Sequence, residues 1–419
     1  MREVNVGHKR IADYRSIVSR ELMAEIEELA ARLRGRRILH VNATAFGGGV
    51  AEILYTLVPL LTDVGLEAEW LVMAPPPRFF TITKAFHNAL QGREFELTDE
   101  VKMAYETVCC ADAADLRRDY DVLVVHDPQP LAIRHFVDLA EGSGAHWVWR
   151  CHLDTSTPDR GLSEYLTPFV NEYETAVFTL PEFALDGLTV PVCSIAPAID
   201  PLAPKNMALS REDARYIVDQ FGIDVDRPLL LQVSRFDPWK DPLGVVDVYR
   251  SVKKERDDVQ LALVGSMASD DPEGWDYLEK ISAYVEGDPD VFVLSNLDNV
   301  GSIEIDAFQS HADVVLQKSV REGFGLTVTE ALWKARPTIA GAVGGIPLQI
   351  EDGKTGYLVD GVATCAERCL RVLAEPERHR EMALRGKEHV RSHFLMPRLL
   401  RDHLRVYVDL IEGKTLGGA

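Results

Sequence analysis

The chain has 419 residues, more than one hydrophobic core usually serves, so we expect two domains. Hydrophobic residues make up 46% and charged residues 26%, the balance of an ordinary globular protein. The net charge of −21, with no block dense in Lys and Arg, argues against a nucleic-acid partner, and the longest apolar runs are too short to span a membrane.

The six cysteines predict no disulfide framework and no metal site. They contain no C-x-x-C pair, and no secretory signal opens the chain, so we expect reduced thiols and a cytoplasmic location. Cys365 and Cys369 lie four residues apart on a predicted helix and are interpreted as packing residues. No cluster of metal ligands is visible in the sequence, so we expect no metal site and no required cofactor.

The first half of the chain alternates helical and strand patterns. Short apolar runs rich in β-branched residues indicate parallel strands buried on both faces. In chain order the sequence predicts a helix over 9–34, a strand at 37–42, a helix at 50–64, a strand at 68–73, a mainly helical stretch at 79–111, and strands within 121–130, 146–154, 175–180 and 192–200. The proline-rich segment 196–206 predicts the domain boundary, placed after residue 203.

A glycine turn joins the first predicted strand to its helix. Gly47, Gly48 and Gly49 stand between the strand at 37–42 and the helix at 50–64. A strand, glycine turn and helix opening a domain are typical of one half of a doubly wound nucleotide-binding sheet. The turn is not the G-x-G-x-x-G dinucleotide fingerprint. We therefore expect its backbone amides to approach a phosphate or a sugar.

Polar residues end two further strands of the first half. His126 and Asp127 follow one apolar run, and Arg150 and His152 end the next. Ligands bind at the carboxyl ends of parallel strands in such sheets, so these side chains are candidate site residues.

The second half repeats the rhythm of strand and helix, which predicts a second parallel sheet and an α/β fold class. The predicted strands begin at 228, 259, 291, 312 and 337, and the predicted helices lie near 210–221, 242–256, 273–286, 301–310, 326–335, 363–375, 377–393 and 397–411. Four histidines of the last helices share no pattern and are interpreted as surface residues: His379, His389, His393 and His403.

A polar loop with two cations follows the strand at 228. Arg235 and Lys240 are five residues apart in this loop, which Pro238 and Pro242 stiffen. A guanidinium can fork to two oxygens and an ammonium acts as a point charge, so the pair suits a diphosphate. Alone, the pair could equally be two solvated surface charges.

The stretch 312–335 predicts a strand, a glycine loop and a helix. Gly323 and Gly325 flank Phe324, and the helix begins at Leu326 and Thr327. Neither glycine has a Cβ, so the backbone can approach a ligand closely, and the free N–H groups at the helix start can bind phosphate.

Two carboxylates accompany this loop. Glu322 lies in the loop and Glu330 more than one turn into the helix. Carboxylates would repel a phosphate, so their more suitable partners are hydroxyl groups, a sugar at Glu322 and a ribose at Glu330. The stretch therefore predicts a nucleotide-sugar site.

Two doubly wound domains with ligand loops at their facing edges resemble the GT-B fold of glycosyltransferases. Glu322 and Glu330, seven residues between them, are similar to the paired-glutamate motif of the retaining GT-B enzymes, and SRFDPWKD resembles their diphosphate motif. The chain resembles the trehalose glycosyltransferring synthases over almost its whole length, most clearly in the segments HVNATAFGGGVAEIL, VHDPQP and WRCHLD. The resemblance implies an acceptor domain over 1–203, a donor domain over 204–396, and a last helix, within 397–419, that crosses back.

The resemblance also implies residue roles. The donor would be held by Gly48, Gly49, Arg235, Lys240, Glu322, Gly323, Phe324, Gly325, Leu326, Thr327 and Glu330. Asp127, His126 and Arg150 would contact the acceptor, and His152 would position the transferred glucose. Arg235, Lys240, Glu322, His152 and Asp127 would form the catalytic set.

The implied reaction converts NDP-glucose and glucose to α,α-trehalose and NDP with retention, and the base (UDP, ADP or GDP) stays open. Mg²⁺ would accompany the free nucleotide and could stimulate the reaction without being required, and the family implies a homodimer. Fungal-type trehalose phosphorylases share related motifs, so a phosphorylase using phosphate and glucose-1-phosphate is the first alternative. A non-catalytic nucleotide-sugar sensor is the second. An NAD-dependent dehydrogenase is disfavoured because the dinucleotide fingerprint is absent.

Overall fold

The computed structural model describes residues 1–46, 48–117, 119–137, 144–267 and 272–414. The chain forms two compact units, the first from Met1–Ala198 with Met396–Ala419 and the second from Ile199–Leu395. The sequence predicts a slightly later boundary, after residue 203. Ile199 belongs to the second unit because its N–H donates to the carbonyl of Phe394 at 2.9 Å and it bridges to Leu395.

Two sheets form the centres of the units. The first has the strand order β1-β3-β2-β4-β5-β6-β7, with only β1 antiparallel, and the second has the all-parallel order β10-β9-β8-β11-β12-β13. The strands are β1 (Arg2–Glu3), β2 (Arg37–Asn42), β3 (Glu67–Val72), β4 (Val122–His126), β5 (His146–Arg150), β6 (Thr175–Phe178), β7 (Val192–Ser194), β8 (Leu229–Val233), β9 (Gln260–Gly265), β10 (Val291–Ser295), β11 (Val314–Gln317), β12 (Thr338–Gly341) and β13 (Tyr357–Val359).

Helices cover both faces of each sheet. They are α1 (Arg20–Arg32), α2 (Gly49–Asp63), α3 (Pro77–Leu90), α4 (Asp99–Ala114), α5 (Ile133–Phe136), α6 (Arg160–Val170), α7 (Arg211–Asp219), α8 (Pro242–Lys253), α9 (Pro272–Val285), α10 (Ser302–His311), α11 (Leu326–Trp333), α12 (Ile346–Gln349), α13 (Val362–Ala374), α14 (Pro376–His393) and α15 (Met396–Ile411). Among the described residues no helix is long and apolar enough to cross a bilayer.

Successive side chains of a strand point to opposite faces of the sheet, and in the first sheet helices cover both faces. In β4, Val122 and Val124 pack with α1, α2 and α15, whereas Leu123 and Val125 pack with α3, α4 and α6. Continuous apolar strands of this kind are typical of parallel sheets covered on both sides. The prediction of two doubly wound α/β units is confirmed.

Two predicted helical stretches are shorter than expected. The stretch 9–34 contains a 3-10 helix at Ile11–Tyr14 and then α1, because the Ser19 hydroxyl accepts the N–H of Leu22 and starts a new helix at Arg20. The stretch 79–111 divides into α3 and α4, and the Thr98 hydroxyl starts the second in the same way. Cys365 and Cys369 are fully buried in the core of the second unit, as predicted.

Candidate active site

A buried carboxylate organises the loop that follows β8. Asp237 is 2% exposed, and its Oδ1 accepts the backbone N–H of Lys240 at 3.2 Å, which closes the 3-10 helix at Pro238–Lys240. Its Oδ2 lies 3.1 Å from Nη2 of Arg235. One aspartate therefore fixes the backbone of one cation and the side chain of the other.

Lys240 extends from this loop to the loop before α11. Its Nζ lies 2.5 Å from Oε2 of Glu322, and both side chains are largely buried. The Ser319 hydroxyl donates to the same oxygen at 3.2 Å, and Nε2 of Gln317 donates to Ser319 at 3.1 Å. Glu322 is thus held by a cation and a hydroxyl, as a carboxylate positioned to accept hydrogen bonds from a sugar would be.

The glycine loop presents the start of α11. Gly325 has φ 86°, which a side chain would strain, and α11 begins directly after it with no side-chain cap. Leu326 and Thr327 supply its first N–H groups, and the Thr327 hydroxyl donates to Oε1 of Gln317 at 3.3 Å. The N–H groups of this first turn have no side-chain acceptor, the arrangement that binds phosphate.

A second glycine turn, at Gly344 and Gly345, packs against this loop. A Cβ on Gly344 would lie 1.6 Å from the carbonyl oxygen of Glu322, and one on Gly345 would lie 2.6 Å from that of Gly323. Nε2 of Gln349 also donates to the carbonyl of Phe324 at 2.5 Å. Close contact with the ligand loop is the structural reason for glycine at both positions.

Glu330 lies inside the second unit with a cationic partner. Its carboxylate is 1% exposed, and Oε1 lies 2.6 Å from Nζ of Lys205. A buried carboxylate with a charged partner stays a strong hydrogen-bond acceptor, as contacts with ribose hydroxyls require. Lys205 was not predicted as a site residue because it lies 125 positions before Glu330, in the segment 196–206 interpreted as the domain boundary.

In the first unit, Asp127 and His152 meet after β4 and β5. Asp127 has φ 63°, a rare conformation for a residue with a side chain, and its Oδ1 accepts the N–H of His152 at 2.8 Å. Nε1 of Trp149 donates to the carbonyl of Asp127 at 3.0 Å. Burial raises the pKa of Asp127 to about 6. The Asp127 carboxylate and the His152 backbone, two candidate site positions, are therefore in direct contact.

His126 and Arg150 are the last residues of β4 and β5, directly before the loops that carry Asp127 and His152. Both are 1% exposed; Nη2 of Arg150 donates to the carbonyl of Ile195 at 2.5 Å, and His126 lies between the rings of His40 and His152. Burial lowers the pKa of Arg150 to about 10. The contact of His126 and Arg150 with the acceptor stays a prediction, and in the structure the His126 ring is hydrogen-bonded to His152 at 3.0 Å.

The glycine turn after β2 leads directly into α2. Gly48 precedes the helix and Gly49 is its first residue, and no side chain caps this end. Gly47 lies outside the described residues. The helix therefore starts at Gly49 without a side-chain cap, and the contact of its N–H groups with a ligand stays a prediction.

Other site residues escaped the sequence analysis. Asp237 could have been found, because Asp-Pro-x-Lys is a local capping pattern in which proline needs no hydrogen-bond acceptor. Ser319 carries no such signal. Within the described ranges, no three or more His, Cys, Asp or Glu side chains are grouped so as to hold a metal ion.

Comparison with known proteins defines the class. Residues 40–185 match the profile of the trehalose synthase N-terminal domain, and residues 213–389 match that of glycosyl transferases group 1. A sucrose-phosphate synthase from Thermosynechococcus elongatus has the same fold, with a TM-score of 0.70 over 90% of this chain and 100% of that one at 17% identity. These matches and the two parallel sheets define a glycosyltransferase of the GT-B class.

Relatives narrow the class to a family. A trehalose synthase from Rubrobacter xylanophilus is 59% identical over 98% of this chain and 99% of its own. A trehalose phosphorylase from Pleurotus pulmonarius is 27% identical over 83% of this chain and 54% of its own. The chain belongs to the trehalose synthase family.

Proposed function

We propose that this protein transfers glucose from NDP-glucose to glucose and forms α,α-trehalose and NDP with retention of configuration. The observation that carries the proposal is that Asp237 holds Arg235 and Lys240 in one loop, and that Lys240 pairs with Glu322 in the loop before the uncapped start of α11. Two cations and free N–H groups suit a diphosphate, and the carboxylate suits a sugar. The family relationship supplies the product.

Leaving-group stabilisation is the main chemical demand. Negative charge grows on the diphosphate as the glycosidic bond breaks, and preorganised donors stabilise it without reorganisation. Arg235 and Lys240 are preorganised because Asp237 holds both. The N–H groups at the start of α11 add a fixed positive potential.

Retention constrains the rest of the mechanism. Donor and product are both α, so a double displacement would need a carboxylate nucleophile beneath the sugar. No residue is assigned to that role. We propose front-face attack, in which the leaving phosphate takes the acceptor proton, Asp127 binds the acceptor and His152 positions the transferred glucose.

The alternative is a phosphorylase that uses phosphate in place of NDP, and Glu330 distinguishes the two. Only a nucleotide donor carries a ribose that the Glu330 carboxylate could bind. Glu330→Ala should weaken a nucleotide-dependent enzyme and leave a phosphorylase nearly unchanged.

The deciding experiment uses purified protein with glucose and, separately, UDP-glucose, ADP-glucose, GDP-glucose or glucose-1-phosphate. Trehalose and released NDP from the nucleotide tubes are the expected result, and their relative yields rank the bases. Trehalose only from the glucose-1-phosphate tube would identify a phosphorylase. Binding of NDP-glucose without any trehalose would identify a sensor.

Further parts of the proposal concern conditions and assembly. We expect no required cofactor, with Mg²⁺ accompanying the free nucleotide and stimulating the reaction. Glucose and trehalose are the other small-molecule ligands. A homodimer and a cytoplasmic location complete the proposal, and size-exclusion chromatography with light scattering tests the dimer.

A further inference from the structure

Five buried or half-buried polar side chains of the first unit form one hydrogen-bonded row from α15 to the loop after β5. In order they are His403, Tyr407, His40, His126 and His152, and we call them the histidine chain. Nδ1 of His403 lies 3.1 Å from the Tyr407 hydroxyl, which lies 3.3 Å from Nε2 of His40. Nδ1 of His40 lies 2.9 Å from Nε2 of His126, whose Nδ1 lies 3.0 Å from Nε2 of His152.

The imidazoles of the histidine chain are neutral. Burial lowers the pKa of His40 to about 3 and holds the pKa values of His126, His152 and His403 well below the ordinary value. A neutral imidazole has one N–H donor and one lone-pair acceptor. A residue that uses both ring nitrogens must therefore donate at one and accept at the other.

This requirement makes the row directional. His40 and His126 each use both nitrogens within the histidine chain, so the proton position on one fixes the other. Only two proton arrangements of His40, His126 and His152 satisfy all of their contacts in the row. In one, His152 accepts at Nε2 and carries its proton on Nδ1; in the other, it donates from Nε2 and has a lone pair on Nδ1.

The two ends of the row differ electrostatically. At the α15 end, burial lowers the pKa of His403 most, followed by His40, Arg150 and Arg398, and Arg398 pairs with Asp402 at 2.8 Å. Arg150 lowers the pKa of His152 as well, so Arg398 is the charge particular to the α15 end. At the other end, the backbone of His152 donates to Asp127. Unequal ends give the two arrangements unequal energies, and hydrogen-bonded rows polarise cooperatively.

We propose that the histidine chain holds His152 in a single tautomer, so that Tyr407 and His403 on α15 are positioning residues for the transferred sugar. The part that concerns the sugar rests on the proposed function, whereas the tautomer itself does not. The tautomer decides whether Nδ1 of His152 offers a donor or an acceptor, and a sugar hydroxyl bound there must match it.

The test combines tautomer and activity. Ring-nitrogen NMR of histidine-labelled protein, with His152→Ala for assignment, should show one His152 tautomer in the wild type. Tyr407→Phe removes one hydroxyl from the histidine chain. It should give a mixture of tautomers or the opposite one, and lower kcat at least about threefold with unchanged affinity for NDP.

Tyr173→Phe is the matched control. It also removes a buried hydroxyl from the first unit, one that donates to the carbonyl of Leu131 at 2.6 Å, outside the histidine chain. It should lower the melting temperature comparably but leave the His152 tautomer and kcat unchanged. If Tyr407→Phe fails to fold, His403→Leu breaks the next link, and His403→Asn, which keeps a polar partner for Tyr407, should be closer to the wild type.

Two outcomes would overturn the inference. One is a wild-type His152 that populates both tautomers, and the other is a His152 signal unchanged by Tyr407→Phe or His403→Leu. A wild type that makes no trehalose would reject the proposed function and leave the tautomer result standing on its own.

Discussion

The ammonium of Lys240 and the carboxylate of Glu322 lie 2.5 Å apart, although 82 positions separate them in the chain. The pair joins the loop after β8 to the loop before α11. Each residue was predicted to contact a different part of one donor, the diphosphate and the glucose. Their contact means that a substitution at Lys240 removes a cation and also releases Glu322.

Arg235→Ala and Lys240→Ala test leaving-group stabilisation. Removing one preorganised donor of this kind costs about 2.7–4 kcal/mol in the barrier, so we expect turnover to fall roughly 100- to 1000-fold in each variant. Steady-state kinetics with NDP-glucose and glucose measures it. Lys354→Ala, which removes an exposed lysine paired with Glu351, is the control and should change little. Losses of tenfold or less in both site variants would reject the assignment.

Lys205→Ala tests the partner of Glu330. Loss of this cation leaves the buried carboxylate less well compensated, so we expect the KM for NDP-glucose to rise about tenfold with kcat largely retained, and Lys205→Arg to recover most of the affinity. Calorimetry with NDP separates binding from turnover. A tighter NDP complex in Lys205→Ala would mean instead that Lys205 competes with the ribose for the carboxylate.

Asp127→Asn tests the raised pKa. The folded-state pKa of about 6 exceeds the ordinary 3.8, so the native state holds this proton more tightly than the unfolded chain does. Protonation of Asp127 therefore stabilises the fold at low pH, and this contribution is lost as pH rises through about 6. As pH rises from about 4 to about 6, the unfolding free energy of the wild type should therefore decrease relative to that of Asp127→Asn, by up to about 1.4 kcal/mol per pH unit.

Denaturant titrations over this pH range measure the difference. Asp186→Asn, at an exposed aspartate, gives the baseline for loss of one carboxylate. If the difference in unfolding free energy between the wild type and Asp127→Asn does not change with pH, the raised pKa is contradicted.

Asp127→Asn also tests the acceptor role of this residue in kinetics. The variant should raise the acceptor KM more than it slows donor hydrolysis, and equal losses would contradict an acceptor role.

Gly344→Ala tests the support of the ligand loop. Gly344 has φ 54° and no room for a Cβ against the carbonyl of Glu322, so the loop must move. We expect a loss of more than about 1–3 kcal/mol of stability and weaker NDP binding. Gly353→Ala is the control, because φ is 71° there and nothing lies within 4 Å of the added Cβ. It should cost only the backbone strain and leave NDP affinity intact; equal effects on NDP binding would disprove the support role.

Much of the fold and of the candidate site was predicted from patterns within short segments of the sequence. Apolar β-branched runs gave the strands, glycines between strand and helix gave the ligand loops, and charged residues at strand ends gave the candidate site. The stretch from Glu322 to Glu330 was predictable because its strand, loop and helix start are set by neighbours in sequence. Asp237 belongs to the same group, since its capping pattern is local.

His403 shows where this reasoning fails. It was interpreted as a surface histidine, yet it is 5% exposed and begins the histidine chain. His379, interpreted in the same way, is 1% exposed and lies 3.0 Å from the Tyr357 hydroxyl. Helical periodicity identifies an apolar face, but a histidine on that face gives no sign of a polar partner on another element.

The sequence alone determined the type and order of the elements, the glycine loops and the charges beside them, because each depends on residues within one helical turn or one strand. Tertiary structure decided which distant residues meet: Lys205 with Glu330, Gly344 with Glu322, and His40 with both His126 and Tyr407. Strand order and the packing of helices on each sheet bring these pairs together. Neither is encoded in the spacing of residues along the chain.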